Sequence, residues 1–179
     1  MRPKVLILTG PPGVGKTTVG RILTERSERG VHLEVDHFFF FIRSGLIDPW
    51  EPESAAQNEV AMRAAAAAAA RYAEAGYATI FDGIVVPRWT LGVIRETIEA
   101  AGLPVAYAVL RAPQSECLAR FVEREGSPDL LDPEFVAGIG AEFDDLGELE
   151  RCAVDVAGLG AEQAADALAA RLAVGTLDL

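Results

Sequence analysis

The stretch Val5-Leu6-Ile7-Leu8-Thr9-Gly10-Pro11-Pro12-Gly13-Val14-Gly15-Lys16-Thr17-Thr18 decides the fold. Val5 to Leu8 is an unbroken β-branched and leucine run lying between Pro3 and Gly10. Such a run suits a strand buried on both faces, as in a parallel sheet. Gly15 to Arg26 then reads as a helix with Val19, Ile22 and Leu23 on one side. Between them, Gly10 to Thr17 fits the pattern G-x-x-x-x-G-K-[ST], which needs a strand before it and a helix after it. The glycines let successive backbone N–H groups turn inward toward phosphate oxygens. The helix adds its positive N-terminal end. Lys16 is placed to reach the β and γ phosphates, and Thr17 to ligate Mg2+. Gly10, Pro11, Pro12, Gly13, Val14, Gly15, Lys16, Thr17 and Thr18 are therefore expected to hold a nucleoside triphosphate with magnesium.

The rest of the chain alternates in the same way. Strands are predicted over Val31–Val35, Tyr77–Phe81, Val105–Leu110 and Ala153–Val156. Helices are predicted over Ser54–Ala75 and Gly160–Leu172, with further helix starts at Pro113 and Pro133. Ser54 and Gln57 have capping-box spacing. The alanine-rich run 64–70 reads as a small-faced helix packed closely on its neighbours. Strands alternating with helices imply right-handed crossovers and a parallel α/β sheet covered on both faces. With 179 residues and no linker-like segment, residues 1–179 are expected to form one domain. The segment 123–133 is the most loop-like and is a candidate lid.

Composition narrows the function. The net charge of −11 argues against a nucleic-acid or anionic-membrane partner, since both require a basic face. No apolar stretch suits a membrane span or a leader, so a cytoplasmic protein is expected. Cys117 and Cys152 show no metal spacing and read as buried thiols.

In open α/β sheets ligands sit beyond the carboxyl ends of the strands, and each of those ends carries a polar residue here. Asp36 follows the second strand. It could take the proton of a substrate hydroxyl, or it could cap a helix starting at His37. Asp82 follows the third strand and could order magnesium through water, or occupy an Asp82-Gly83 turn. Arg88 could hold an anionic group or simply be a solvated arginine opening a helix. Arg120 and Arg124 lie four apart on one helix face and could spread phosphoryl charge, or pair with Glu116 and Glu123. Phe38 to Phe41 cannot all face inward on a helix, so Phe40 and its neighbours, with His37, either line an apolar substrate pocket or join the core. Trp50 and Trp89 are further candidates for its border. His32 lies inside a strand and is assigned no role.

Together these motifs resemble a family. GPPGVGKTT near the N-terminus, Val35-Asp36, Phe81-Asp82-Gly83 with Pro87-Arg88 downstream, and Arg120-x-x-x-Arg124 look like the small P-loop kinases related to nucleoside monophosphate kinases. The resemblance runs nearly the whole chain and is strongest to the chloramphenicol-phosphotransferase-like group. It implies a three-layer α/β sandwich with a five-stranded sheet in order 2-3-1-4-5 and a short lid. It implies an ATP- and Mg2+-dependent phosphotransferase whose partner is a small molecule bearing a hydroxyl, such as an antibiotic or other natural product. It gives Asp36 the hydroxyl-activating role, Arg120 and Arg124 the lid positions, and Asp155 to Gly158 a loop passing the adenine. The Asp82-Gly83 to Pro87-Arg88 spacing is one residue longer than in nucleoside monophosphate kinases. The rival readings are a nucleotide or sugar-acid kinase, and a non-catalytic nucleotide-binding switch or ATPase.

Overall fold

The computed structural model describes residues 4–123 and 138–179. Five strands form one parallel sheet: β1 (Val5–Thr9), β2 (Gly30–Glu34), β3 (Ala78–Asp82), β4 (Val105–Arg111) and β5 (Ala153–Asp155). Their spatial order is β2-β3-β1-β4-β5. The helices are α1 (Lys16–Glu25), α2 (Asp36–Phe40), α3 (Ala55–Glu74), α4 (Gly92–Glu99), α5 (Gln114–Glu123) and α6 (Ala161–Ala173). Every residue of β1 is buried, as its unbroken apolar run requires of a central strand. β4 is buried from Val105 to Leu110 for the same reason.

The strand order sorts the helices into layers. The chain moves one way from β1 to β2 and back from β2 to β3, so right-handed crossovers put α1 and α3 on opposite faces. α1 packs with α6, and α3 packs with α4. The alanine run lets α3 approach closely: Ala65, Ala66, Ala69, Ala70 and Ala73 are all buried. A methyl side chain loses no rotamer entropy on burial, and Ala is the strongest helix former.

Predicted elements and observed ones agree within two residues, with three differences. The Ser54–Gln57 capping box does not form. Gln57 instead brackets Ile47, accepting its N–H at 2.8 Å and donating to its carbonyl at 2.7 Å, while Ser54 donates to the Pro49 carbonyl. The preceding loop outcompetes the cap. Second, a π-turn over Pro87–Leu91 leads into α4. Third, Asp82 is the last residue of β3 rather than a turn residue, and Val35 N–H donates to its carbonyl at 2.9 Å. The helix start expected at Pro133 and the lid at 123–133, Glu123 excepted, lie outside the described residues.

Two polar contacts fix the segment after β3. Thr9 Oγ1 accepts the N–H of Val85 at 2.8 Å, and the Tyr107 hydroxyl donates to the Val85 carbonyl at 2.8 Å. Burial pushes the Tyr107 phenol far above its ordinary range, so it stays a donor. Cys117 and Cys152 are buried free thiols, as expected, and burial raises both. Among the described residues, no helix is long and apolar enough to cross a membrane.

Candidate functional site

The phosphate loop is shaped by backbone that only glycine tolerates. Gly10 has φ +140° and Gly13 φ +81°. A Cβ on Gly10 would lie 2.3 Å from the Leu110 carbonyl oxygen, and one on Gly13 would lie 2.1 Å from the Cys117 carbonyl oxygen. The loop is thus wedged between the end of β4 and the start of α5. Gly13→Ala is expected to cost about 1–3 kcal/mol by overpacking. Calorimetry should show a melting point several degrees lower, and nucleotide titration a lost or strongly weakened affinity.

Lys16 opens α1, and its Nζ donates at 3.0 Å to the carbonyls of both Gly10 and Pro11. The ammonium is therefore folded back over the loop. No side chain caps the start of α1. The first turn of a helix presents amides and the positive end of the helix dipole, to which an anion can bind. Gly13, Gly15, Lys16, Thr17, Thr18, Arg120 and Phe121 line a recess of about 190 Å³. Its donors, glycines and exposed Thr17 suit a magnesium-bound polyphosphate, with Thr17 the candidate metal ligand.

Asp36 stands in the first turn of α2 and makes no cap bond. The cap alternative fails because α2 begins at Asp36 itself, so Val35 occupies the cap position. The carboxyl is raised above the ordinary range, first by the protein packed around it and then by Asp82 and Glu34, against the pull of Lys16 and His37. One side of Asp36 nevertheless remains open to solvent, so a substrate can reach it. Asp36 thus lies within electrostatic reach of both Lys16 and Asp82.

Asp82 is 4% exposed, and its Oδ2 lies 3.0 Å from His32 Nε2. Gly83 continues under Val35, where a Cβ would come within 3.0 Å of the Val35 side chain. Arg88 is exposed, paired with Glu142 and stacked over Trp89 at 5.2 Å from the ring centre. It borders a second recess of about 290 Å³ lined by Val86, Pro87, Arg88, Ala141, Glu142, Asp145 and Leu146. Arg120 lines the phosphate recess and pairs with Glu116 at 2.5 Å, as the pairing alternative expected. Arg124 lies outside the described residues.

The aromatic run divides. Phe39 is buried and Phe38 partly so, while Phe40 is 43% and Phe41 71% exposed. His37 is exposed, with its ring 6.5 Å from that of Phe40. Trp89 is 55% exposed. Asp155 ends β5 and accepts the N–H of Ala157 at 2.9 Å, turning the chain toward Gly158 at φ +66°. Among the described residues, no cluster of three or more His, Cys, Asp or Glu side chains could hold a metal ion by itself. A magnesium site here would draw on the phosphates as well as on Thr17 and Asp82.

Sequence reasoning missed His32, Thr9 and Glu142. His32 and Glu34 are two apart on β2, and Glu34 is in register with Asp82. The period of two was visible, but the β2–β3 pairing that makes it meaningful was not.

No curated protein sequence matches the chain. Solved structures resemble it across almost its whole length. The tunicamycin resistance protein of Deinococcus radiodurans is 23% identical with TM-score 0.72, covering 96% of each chain. An unliganded sugar kinase from Janibacter sp. HTCC2649 is 20% identical with TM-score 0.71, covering 97% of this chain and 96% of its own. An APS kinase from Mycobacterium tuberculosis, solved with AMPPNP and APS, is 18% identical with TM-score 0.71, covering 96% and 98%. These likenesses show a shared fold. The model of the AAA domain family matches residues 5–137, most of the chain and all of the phosphate loop, and the chain belongs to that family of P-loop NTPases.

Proposed function

We propose that this protein is a small-molecule kinase that transfers the γ-phosphoryl group of ATP to a hydroxyl. The observation carrying this reading is the placement of two carboxylates, Asp36 just after β2 and Asp82 at the end of the adjacent β3, with Asp36 within electrostatic reach of Lys16. ATP is the donor, its phosphates held by the loop 10–18. Thr17 and Asp82 are the residues that would hold magnesium, which supplies charge neutralisation on the β and γ oxygens when bound. The acceptor hydroxyl lies beside Asp36. As its oxygen bonds to the γ-phosphorus and the bond to the bridging oxygen of ADP breaks, Asp36 takes its proton. Lys16 and Arg120 stabilise the negative charge carried by the transferring group. A carboxyl raised above its ordinary range is a stronger base than a free aspartate once ionised.

Exposed aromatic residues favour a partly apolar substrate. Phe40, Phe41 and Trp89 present aromatic surface that the core does not use, and Arg88 is already engaged by Glu142. An antibiotic or other natural product with an alcohol group fits this chemistry. That a sugar kinase and a tunicamycin resistance protein share this fold is consistent with a small-molecule substrate.

The test is a panel of hydroxylated compounds incubated with enzyme and Mg2+-ATP. Formation of ADP should depend on one acceptor class, with a mass gain of one phosphoryl group on that compound. Equal ADP release with and without every acceptor would instead mark a simple ATPase or switch.

A further inference from the structure

We infer that His32 is a positioning residue that orients Asp82 toward the metal side of the nucleotide site. This rests on the proposed magnesium role of Asp82. Two features support it, the buried contact itself and the space made for the imidazole. His32 and Asp82 are both recessed, with side chains 12% and 3% exposed, and meet at 3.0 Å across adjacent strands. The bond uses one carboxylate oxygen, Oδ2, and the imidazole Nε2. A carboxylate only accepts, so Nε2 carries the proton and donates. Room for the ring is provided by Gly20 of α1, where a Cβ would lie 2.7 Å from His32 Nε2. The helix that follows the phosphate loop therefore carries a notch at the imidazole.

The consequence is rotational. Asp82 stands at a strand end, where an unrestrained carboxylate can swing about its side-chain torsions. Tying Oδ2 to β2 leaves the opposite oxygen with a fixed aim, and hydrogen-bonding partners behind metal-directed ligands typically affect metal affinity by about 10–100-fold. The inference therefore concerns aim and not structural stability alone.

The experiment titrates a fluorescent ADP analogue into the full chain with excess Mg2+ and again in EDTA. In wild type, Mg2+ should tighten binding. In His32→Ala that gain should shrink by roughly 10–100-fold while the EDTA affinity stays within about twofold. His32→Gln carries an amide nitrogen near the position of Nε2 and should restore the gain. His32→Asn, one carbon shorter, should not. Gly20→Ala, which crowds the ring from the other side, should reproduce the loss. Because Gln and Asn are compared with each other, the test survives a poorly folded alanine variant.

An unchanged magnesium gain in His32→Asn, equal losses in both arms, or failure of Gln to outperform Asn would each overturn the inference. A wild type that binds in EDTA but gains nothing from Mg2+ would overturn it through the magnesium reading of Asp82. A wild type that binds in neither arm would instead sink the nucleotide-site reading.

Discussion

Replacing Lys16 by alanine is expected to lower phosphoryl transfer by about 10²–10³-fold or more, the range for removing one preorganised donor from a developing charge. Lys16 begins the helix and folds back on the carbonyls of Gly10 and Pro11, so its ammonium already lies over the place where phosphates would sit. A bound polyphosphate would draw it off those carbonyls. Nucleotide affinity should fall as well, by roughly tenfold or more, since a charge-assisted bond contributes about 1.5–3 kcal/mol. The fold should survive, because the lysine lies at the lip of the recess and the core beneath it is apolar. Steady-state kinetics and ADP titration on Lys16→Ala and Lys16→Met would check this. Unchanged binding and turnover in both variants would remove the basis for the proposed function.

Asp36→Asn carries the second large effect. Asparagine keeps the shape but cannot take a proton, so turnover of a hydroxyl acceptor should drop by about 10²–10⁴-fold. Affinity for ATP should hold nearly constant. That split separates a hydroxyl kinase from a nucleotide kinase, whose phosphate acceptor needs no base. The pH behaviour follows from the direction of the shift. Burial raises the Asp36 carboxyl above the ordinary carboxylate range, so wild-type activity should fall as pH drops through that raised value. In the variant this acid limb should vanish.

Stability responds with a definite sign. A carboxyl whose folded pKa is raised binds more protons folded than unfolded, so its contribution turns unfavourable as pH rises through that window. Asp36→Asn should therefore melt slightly higher than wild type at neutral pH. The difference should close below the ordinary carboxylate range. A variant that melts lower at neutral pH would mean the carboxylate is held by favourable contacts instead.

Much of this architecture was legible in the chain itself. The strand-loop-helix of residues 5–26 is a local signal, since glycine spacing, lysine position and apolar runs all lie within one crossover. The positions of Asp36 and Asp82 followed from strand ends, which turn residues and apolar runs delimit. What escaped reading depends on pairing between distant segments. The contact of His32 with Asp82 spans 50 residues of sequence and exists only because β2 lies beside β3. Arg88 and Glu142 lie 54 apart in sequence and meet only in the folded chain. Gln57 left its expected cap role because a loop ten residues earlier offered it both a donor and an acceptor. In each case the partner lies far away along the chain, so only tertiary geometry brings the pair together.

The fastening of Val85 from both sides divides the molecule into parts that can change independently. Thr9 belongs to the strand that leads into the phosphate loop, and Tyr107 to its neighbour. Drift in the floor behind residue 85 would therefore disturb the nucleotide half directly. Phe40 and Phe41 carry no such polar tether; both are exposed, with Phe41 resting edge-on against Phe38 at 5.5 Å. Under the proposed reading, varying Phe40, Phe41 and the turn after them while keeping Asp36 should change the choice of acceptor and leave the donor side intact.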